Sequence, residues 1–373
     1  MTAKKLGFGL MRLPLTNQSD NSSIDMEMMK RMVDTFLQRG YTYFDTAYMY
    51  HDFKSEIAVK EALVERHERN SFKLATKLPM MSINTREDQR RIFNEQLIKC
   101  GVDYFDNYML HNINRLYYET AEKLDSFGFI QQKKKEGKVK RIGFSYHDKA
   151  DFLDKVLTEH PEVDFVQLQL NYLDWNSESI QSKECYEVAK KHNMPIIVME
   201  PLKGGTLINI NGRVKKLFKD YDEKASLASW AIRFAASLEG VETVLSGMSN
   251  YEQLEENTAY MENFKPFSSE EYAIVDKAAE IINDEVIIPC TGCRYCMEKC
   301  SQKIPIAEYL SLYNSEKQEI EKSFQVQQVY YDNYLKDHSK ASDCAECGSC
   351  EEVCPQHIEI IKYLKEVAEL FEH

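Results

Sequence analysis

Eight cysteines close to the C-terminal end of the chain fall in two runs of matching spacing. Cys290, Cys293, Cys296 and Cys300 are separated by two, two and three residues; Cys344, Cys347, Cys350 and Cys354 repeat that spacing, and Pro355 follows the last. Two-residue gaps let successive thiolates converge on one face of an iron–sulfur cubane. Zinc also takes four cysteines, but usually as two C-x2-C pairs rather than three close thiols plus a fourth, repeated twice. The spacing points to two [4Fe–4S] clusters, with zinc as the alternative. The two remaining cysteines, Cys100 and Cys185, stand far from either run in the sequence.

Composition excludes several other roles. A net charge of −13, from 47 Lys and Arg against 60 Asp and Glu, argues against nucleic acid as a partner, because that binding rests on cations neutralising phosphates. One basic run, Lys133 to Lys135 with Lys138, Lys140 and Arg141, sits at the end of an expected helix, where cations complement the helix dipole. No apolar run approaches the roughly 20 residues of a membrane helix, and the opening Met1-Thr2-Ala3-Lys4-Lys5-Leu6 lacks the apolar stretch of a signal peptide. No membrane association is expected. Clusters of this kind fit a reducing, cytoplasmic setting better than disulfides fit an exported one.

The elements that would position further chemistry lie in the first 265 residues. Apolar, strand-like runs alternate with segments of helical period. The runs are Gly7–Arg12, Tyr41–Asp45, Phe72–Lys77, Phe105–His111, Arg141–Ser145, Phe165–Asn171, Pro195–Pro201 and Glu242–Met248. Between and after them, Asp25–Gln38, Glu56–Arg66, Glu87–Lys99, Glu119–Glu136, Ala150–Glu159, Lys183–His192, Ala225–Ser237 and Tyr251–Met261 read as helices. Crossovers long enough for a helix imply parallel strands, and eight such units most simply close into an α/β barrel of the (β/α)8 TIM type. A doubly wound open sheet is the rival, weakened by the lack of a G-x-G-x-x-G after an early strand. In a barrel, chemistry sits where strands end, which singles out Asp45, Lys77, His111, Ser145, Gln167, Asn171 and Glu200. The barrel is expected over 1–285, and a small, mainly α-helical domain binding the clusters over 286–373.

The stretch Gly40-Tyr41-Thr42-Tyr43-Phe44-Asp45-Thr46-Ala47-Tyr48-Met49-Tyr50 resembles the aldo-keto reductase signature, in which Asp-Thr-Ala-x-x-Tyr ends a strand. The resemblance continues in order at Lys77, at His111 in Tyr108-Met109-Leu110-His111, at Ile142-Gly143-Phe144-Ser145, at Pro201-Leu202-Lys203-Gly204-Gly205 and from Ser246-Gly247-Met248 through Glu256-Asn257. It spans about residues 6–265. The whole chain resembles the subgroup of that family with a C-terminal ferredoxin-type domain. In two-cluster ferredoxins the fourth cysteine of each run reaches across to the other cluster. That pattern implies one set of Cys290, Cys293, Cys296 and Cys354 and another of Cys344, Cys347, Cys350 and Cys300. Ser301 stands where the ferredoxin run has proline, and the 43 residues of Ser301–Asp343, expected to be helical, are far more than a compact ferredoxin has there.

Carbonyl reduction needs a hydride donor and a proton donor aimed at one C=O. Tyrosine, with an ordinary pKa near 10, becomes a useful acid beside a lysine ammonium that a carboxylate keeps charged and oriented. Tyr50, Lys77 and Asp45 fit those roles, and His111 can orient the carbonyl or assist the proton. The resemblance implies a nicotinamide dinucleotide across the barrel mouth. Ser145 and Gln167 would then hold its carboxamide with Asn171 nearby, and Met199 would take the place of a stacking aromatic ring. Gly204 and Gly205 would lie at the phosphates, and Gly247, Met248, Ser249, Gln253, Glu256 and Asn257 at the adenosine end. Many NADPH-dependent members carry a lysine and an arginine where this chain has Gly247 and Gln253, so NADPH and NADH both stay open.

The expected activity is therefore an NAD(P)H-dependent oxidoreductase acting on a small carbonyl or alcohol substrate. Two alternatives stay open: a protein passing electrons through its clusters to a redox partner, with the barrel as scaffold, and a reductase whose clusters are purely structural.

Overall fold

Eight strands pair in chain order, every neighbour parallel, and the last pairs with the first to close a TIM barrel. They are β1 (Leu6–Gly9), β2 (Tyr43–Asp45), β3 (Lys73–Pro79), β4 (Phe105–Ile113), β5 (Val139–Tyr146), β6 (Phe165–Gln169), β7 (Ile196–Met199) and β8 (Val241–Ser246). The computed structural model describes residues 4–176, 180–283, 287–318, 326–335 and 337–372. All eight expected strands are present, most of them shorter than their apolar runs, because closure needs only the paired segment. β6 ends at Gln169, which leaves Asn171 in the following loop.

The helices differ more. The single helix expected over 119–136 is two, Arg115–Leu124 and Ser126–Lys135. Asp125 breaks it in the left-handed region at φ 56°, which aspartate tolerates better than most residues. Its carboxylate fills the space over Gly128, where a Cβ would sit 2.3 Å from Oδ1. A helix over Gly212–Tyr221 was not expected; Asn211 caps it by accepting from Val214 N. The basic run is solvated as expected, with Lys134 paired to Asp164 and Lys133 to Glu136.

The barrel interior explains why the candidate residues share a level. Tyr43, Ala75, Met109, Phe165, Ile197 and Leu245 form one apolar cluster inside the sheet. β1 and β5 add Gly7 and Gly143, where any side chain would collide. A Cβ at Gly143 would lie 2.3 Å from Phe165 O, and one at Gly7 2.8 Å from Leu245. The large rings of Tyr43 and Phe165 thus occupy the room the two glycines leave. Side chains two residues apart on a strand point the same way. The level above this layer, toward the strand C-termini, therefore reads Gly9, Asp45, Lys77, His111, Ser145, Gln167, Met199 and Gly247. A dry layer supports a polar one.

The chain divides into two compact units. The first holds the barrel and runs, with two interruptions, to Tyr272; the second comprises 177–180, 203–224 and 273–373. This differs from the expected division in giving the loop and helix after β7 to the second unit. The expected boundary at 285/286 lies in 284–286, outside the described residues. The second unit has its own core, in which Tyr309, Leu310, Tyr331, Ile360, Leu364, Val367 and Phe371 are buried. Tyr331 stacks on Phe371 at 5.1 Å between ring centres. Of the long insert between the cysteine runs, Ile306–Gln318 and Val326–Tyr334 are helical, whereas 301–305 and 337–340 are turns and extended chain. Among the described residues no helix is long and apolar enough to cross a membrane.

Candidate functional site

Lys77 and Asp45 meet inside the barrel mouth. Lys77 Nζ donates to Asp45 Oδ1 at 2.5 Å and to Thr46 O at 2.8 Å, and the two residues are only 1% and 3% exposed. Burial pushes the Asp45 carboxyl up, while the Lys77 ammonium and the Gln167 amide pull it back. Behind β3, Gln96 Nε2 donates to Lys77 O at 3.0 Å and to Glu56 Oε1 at 2.7 Å, and Thr76 Oγ1 donates to Glu56 Oε1 at 2.8 Å. This buried network holds the strand that carries the lysine. Nothing in the sequence pattern marked Glu56 or Gln96 beyond their place on helices.

Tyr50 enters from the loop after β2. The lysine Nζ lies 5.0 Å from the centre of its ring, and the His111 ring stands edge-on to it at 6.2 Å. The loop is pinned by a residue the sequence did not single out. His51 Nε2 accepts from Leu13 N at 3.1 Å and its Nδ1 donates to Asn21 O at 2.8 Å, which fixes the tautomer. His51, Asp52 and Phe53 all take positive φ, so the turn is held in a conformation the surroundings must enforce.

The electrostatics set protonation. Burial, with the Asp45 and Glu200 carboxylates nearby, pushes the Tyr50 phenol well above its ordinary value, and Arg12 opposes them. Lys77, paired with Asp45, leaves the resting phenol protonated. Burial, with Lys77 and His147, drives His111 well below the usual histidine range. Both groups are therefore neutral near pH 7, the phenol as an acid and the imidazole as a hydrogen-bonding group.

His111 sits where the β4–β5 register slips between Leu110 and Ile113, and such a bulge re-aims side chains. Asn112 follows at φ 63°, its N–H donating to Ser145 Oγ at 2.8 Å. Gln167 Nε2 reaches Asp45 Oδ2 at 3.3 Å, long for a buried amide. Asn171 is knotted into its own loop. Its Oδ1 accepts from Leu173 N and Asp174 N, and its Nδ2 donates to Asp174 Oδ2 and to Glu200 O. It thereby fixes Glu200, a non-glycine residue at φ 55°.

Farther round, Met199 ends β7 and Met248 is fully buried after β8. Ser249 N donates to Gln253 Oε1, Ser249 Oγ donates to Arg12 O, and Asn257 Nδ2 donates to Ser246 Oγ. Glu256 is exposed. Gly247 faces Arg12, whose Cβ would be 3.3 Å from a Cβ placed there. That arginine is a cation at the Gly247 loop that reading the loop's own sequence did not reveal. Gly204 and Gly205, both at positive φ, belong to the second unit.

The cysteines of that unit show a repeated backbone. Gly292 and Glu346 take positive φ before the second thiol of each run, Arg294 and Gly348 after it, and Lys303 and His357 three residues beyond the fourth. Lys303 N donates to Cys300 O and His357 N to Cys354 O, each at 3.1 Å. Cys290 and Cys296 have Cys354 as an electrostatic neighbour, whereas Cys350 has Cys344 and Cys300. Cys296 also has Cys350 as a neighbour, so the two runs lie close together. Backbone N–H groups of Ile358, Gln356 and His357 donate to the Cys354 sulfur. Burial pushes the Cys290 thiol up to about 11 and that of Cys350 to about 12, so iron is needed to hold them as thiolates. Among the described residues no three His, Cys, Asp or Glu side chains close around a single ion; a cubane takes one thiolate at each of four corners. The donor set fits clusters. Cys100 and Cys185 are buried and separate.

Comparison with known proteins agrees with both halves. The model of the aldo/keto reductase family matches residues 5–280, and that of the 4Fe-4S dicluster domain residues 289–359. Similar solved structures include an aldo-keto reductase from Bacillus halodurans, at 22% identity and TM-score 0.59 over 74% of this chain and 91% of that one. Another, from Klebsiella pneumoniae and described in complex with NADPH, has 19% identity and TM-score 0.56 over 74% of this chain and 95% of that one. The thermostable aldo-keto reductase Tm1743 has 20% identity and TM-score 0.59, covering 73% and 94%. At these identities the likeness speaks for the fold.

Proposed function

The chain belongs to the aldo/keto reductase family, and we propose that it is an NAD(P)H-dependent oxidoreductase. It reduces aldehyde or ketone carbonyls of a small molecule, or oxidises the corresponding alcohols, and carries an attached iron–sulfur module. The observation that carries this reading is the sealed Lys77–Asp45 pair against the Tyr50 ring, with neutral His111 beside it.

A reduced nicotinamide, when bound, supplies a hydride to the carbonyl carbon. The chain's part is the proton and the geometry. Tyr50, kept neutral, donates its phenol proton to the carbonyl oxygen as charge builds there. The Lys77 ammonium stabilises the phenolate left behind, and Asp45 keeps that ammonium charged and in place. His111 donates an N–H to the same oxygen and sets its direction. Ser145 and Gln167 would hold the carboxamide beside Asn171, and Met199 would pack on the ring with a polarisable thioether. Gly204 and Gly205 would admit the phosphates. Gly247, Met248, Ser249, Gln253, Glu256 and Asn257 would line the adenosine end, with Arg12 as the nearby cation.

Anaerobic turnover of an activated aromatic aldehyde with NADH and with NADPH tests the assignment. Tyr50→Phe should lower kcat by about 10²–10⁴, the usual contribution of a general acid, with cluster absorbance intact. Unchanged turnover would remove Tyr50 from the reaction.

A hydride carries two electrons, whereas a [4Fe–4S] cluster takes one, and no flavin signature bridges the two. The clusters therefore belong to a separate electron path, to a redox partner.

A further inference from the structure

Arg12 ends the short helix Leu10–Arg12 that follows β1, the strand lying between β2 and β8. This stretch of chain is tied to both neighbours. Ser249 Oγ, after β8, donates to Arg12 O at 3.0 Å. Leu13 N donates at 3.1 Å to the ring of His51, which holds the Tyr50 loop. The Arg12 stem lies along Gly247. A Cβ on that glycine would meet Arg12 Cβ at 3.3 Å, Cδ at 3.4 Å and Cγ at 3.5 Å. Gly247 belongs to the level at the strand C-termini, so the stem fills the room that a side chain at 247 would take.

The guanidinium at the end of this stem is unengaged. Among the described residues no carboxylate pairs with it and no acceptor takes its N–H groups. The chain has 60 acidic residues against 47 basic ones, so carboxylates are not scarce. Arg39 is paired with Glu255 at 3.2 Å, and Lys77 is given to Asp45. Arg12 is half-buried, and a cation partly withdrawn from water attracts an anion more strongly than one in open solvent. None of the residues set out above for the dinucleotide is a cation, although that cofactor is strongly anionic.

We propose that Arg12 is the cation that binds a phosphate of the dinucleotide, its stem taking the place of the side chain that Gly247 lacks. The inference rests on the reading that a nicotinamide dinucleotide lies across the barrel mouth. A guanidinium presents N–H donors in a planar fork that matches two phosphate oxygens, and such charge-assisted bonds are stronger than neutral ones. Two groups offer this chemistry: the pyrophosphate common to NADH and NADPH, and the 2′-phosphate of NADPH alone. Because Leu13 and His51 join the arginine's chain to the Tyr50 loop, a phosphate held there is anchored to the same frame as the proton donor.

The test is anaerobic calorimetric titration of the full chain with NADH and with NADPH, without substrate and at several salt concentrations. Arg12→Met should raise Kd about tenfold or more, the usual worth of a hydrogen bond to a charged group, and should flatten the salt dependence of binding. Arg12→Lys keeps the charge without the fork and should recover part of the loss. A loss shared by both cofactors assigns the pyrophosphate, and a loss confined to NADPH assigns the 2′-phosphate. Wild-type affinity for both cofactors in Arg12→Met would overturn the proposal, as would a loss that leaves the salt dependence unchanged. Should Arg12→Met fail to fold, Arg12→Gln must show the same loss, and undiminished affinity there overturns the proposal equally. A wild-type chain that binds neither dinucleotide defeats the nicotinamide reading instead, which separates the two failures.

Discussion

Lys77 Nζ lies 2.5 Å from Asp45 Oδ1 where neither side chain meets solvent. Bringing two charges into the barrel is costly, and each residue is tolerable only because of the other. The pair is therefore a poor source of stability and a strict device for orientation: it leaves the ammonium one place to be, over the Tyr50 ring.

Removing one partner should be worse than removing both. Asp45→Asn is expected to destabilise the barrel by about 3–5 kcal/mol, the usual cost of stranding a buried charge, and to abolish carbonyl reduction. Adding Lys77→Met to that variant should recover much of the stability and none of the activity. Urea unfolding of the single and double variants measures this; simple additivity of the two effects would mean that the charges are not coupled.

The protonation states predict a pH profile. Tyr50 is raised and His111 lowered, so neither changes charge between about pH 6 and 9, and reduction should be flat there. It should fall only at higher pH, where the phenol loses its proton, while alcohol oxidation, which needs a base, rises. The stability linkage has its own sign. A histidine whose folded value is depressed binds fewer protons folded than unfolded, so its contribution is lost as pH falls below the unfolded value near 6.5. His111→Gln should flatten stability across that window; an unchanged slope would remove His111 as its source.

Much of this site could be read from the sequence because a barrel strand carries its own coordinates. Once Tyr43, Ala75 and Met109 are assigned inward, the pleat places Asp45, Lys77 and His111 one level up. The cysteine runs were legible for a similar reason, since the spacing is the chemistry. What escaped depends on contacts between distant segments. Nothing local to His51 shows that its ring ties Leu13 to Asn21, and Arg12 gives no sign that it will lie against Gly247. The break at Asp125 was missed because the segment keeps a helical period on both sides. Lys203 reads as part of a glycine turn until its hydrogen bond to Gln356 is known.

The cysteines divide into two classes, and iron content should follow. Cys100→Ala and Cys185→Ala should leave iron and acid-labile sulfide at about eight each per chain, four for each cubane. Cys350→Ser or Cys296→Ser should remove about four. The crossed grouping predicts that Cys300→Ser damages the cluster that Cys344 holds, and loss of the Cys290 cluster in that variant would contradict it.

The central claim is that a hydride goes directly from nicotinamide to a carbonyl at the Tyr50 site, without passing as single electrons through the clusters. Reduction of an activated aromatic aldehyde with NADH or NADPH carrying deuterium at C4 tests it, with mass spectrometry of the alcohol formed. Direct transfer predicts one deuterium on the former carbonyl carbon, with the hydroxyl hydrogen drawn from solvent by way of Tyr50. An alcohol whose new carbon-bound hydrogen comes from solvent would contradict the account.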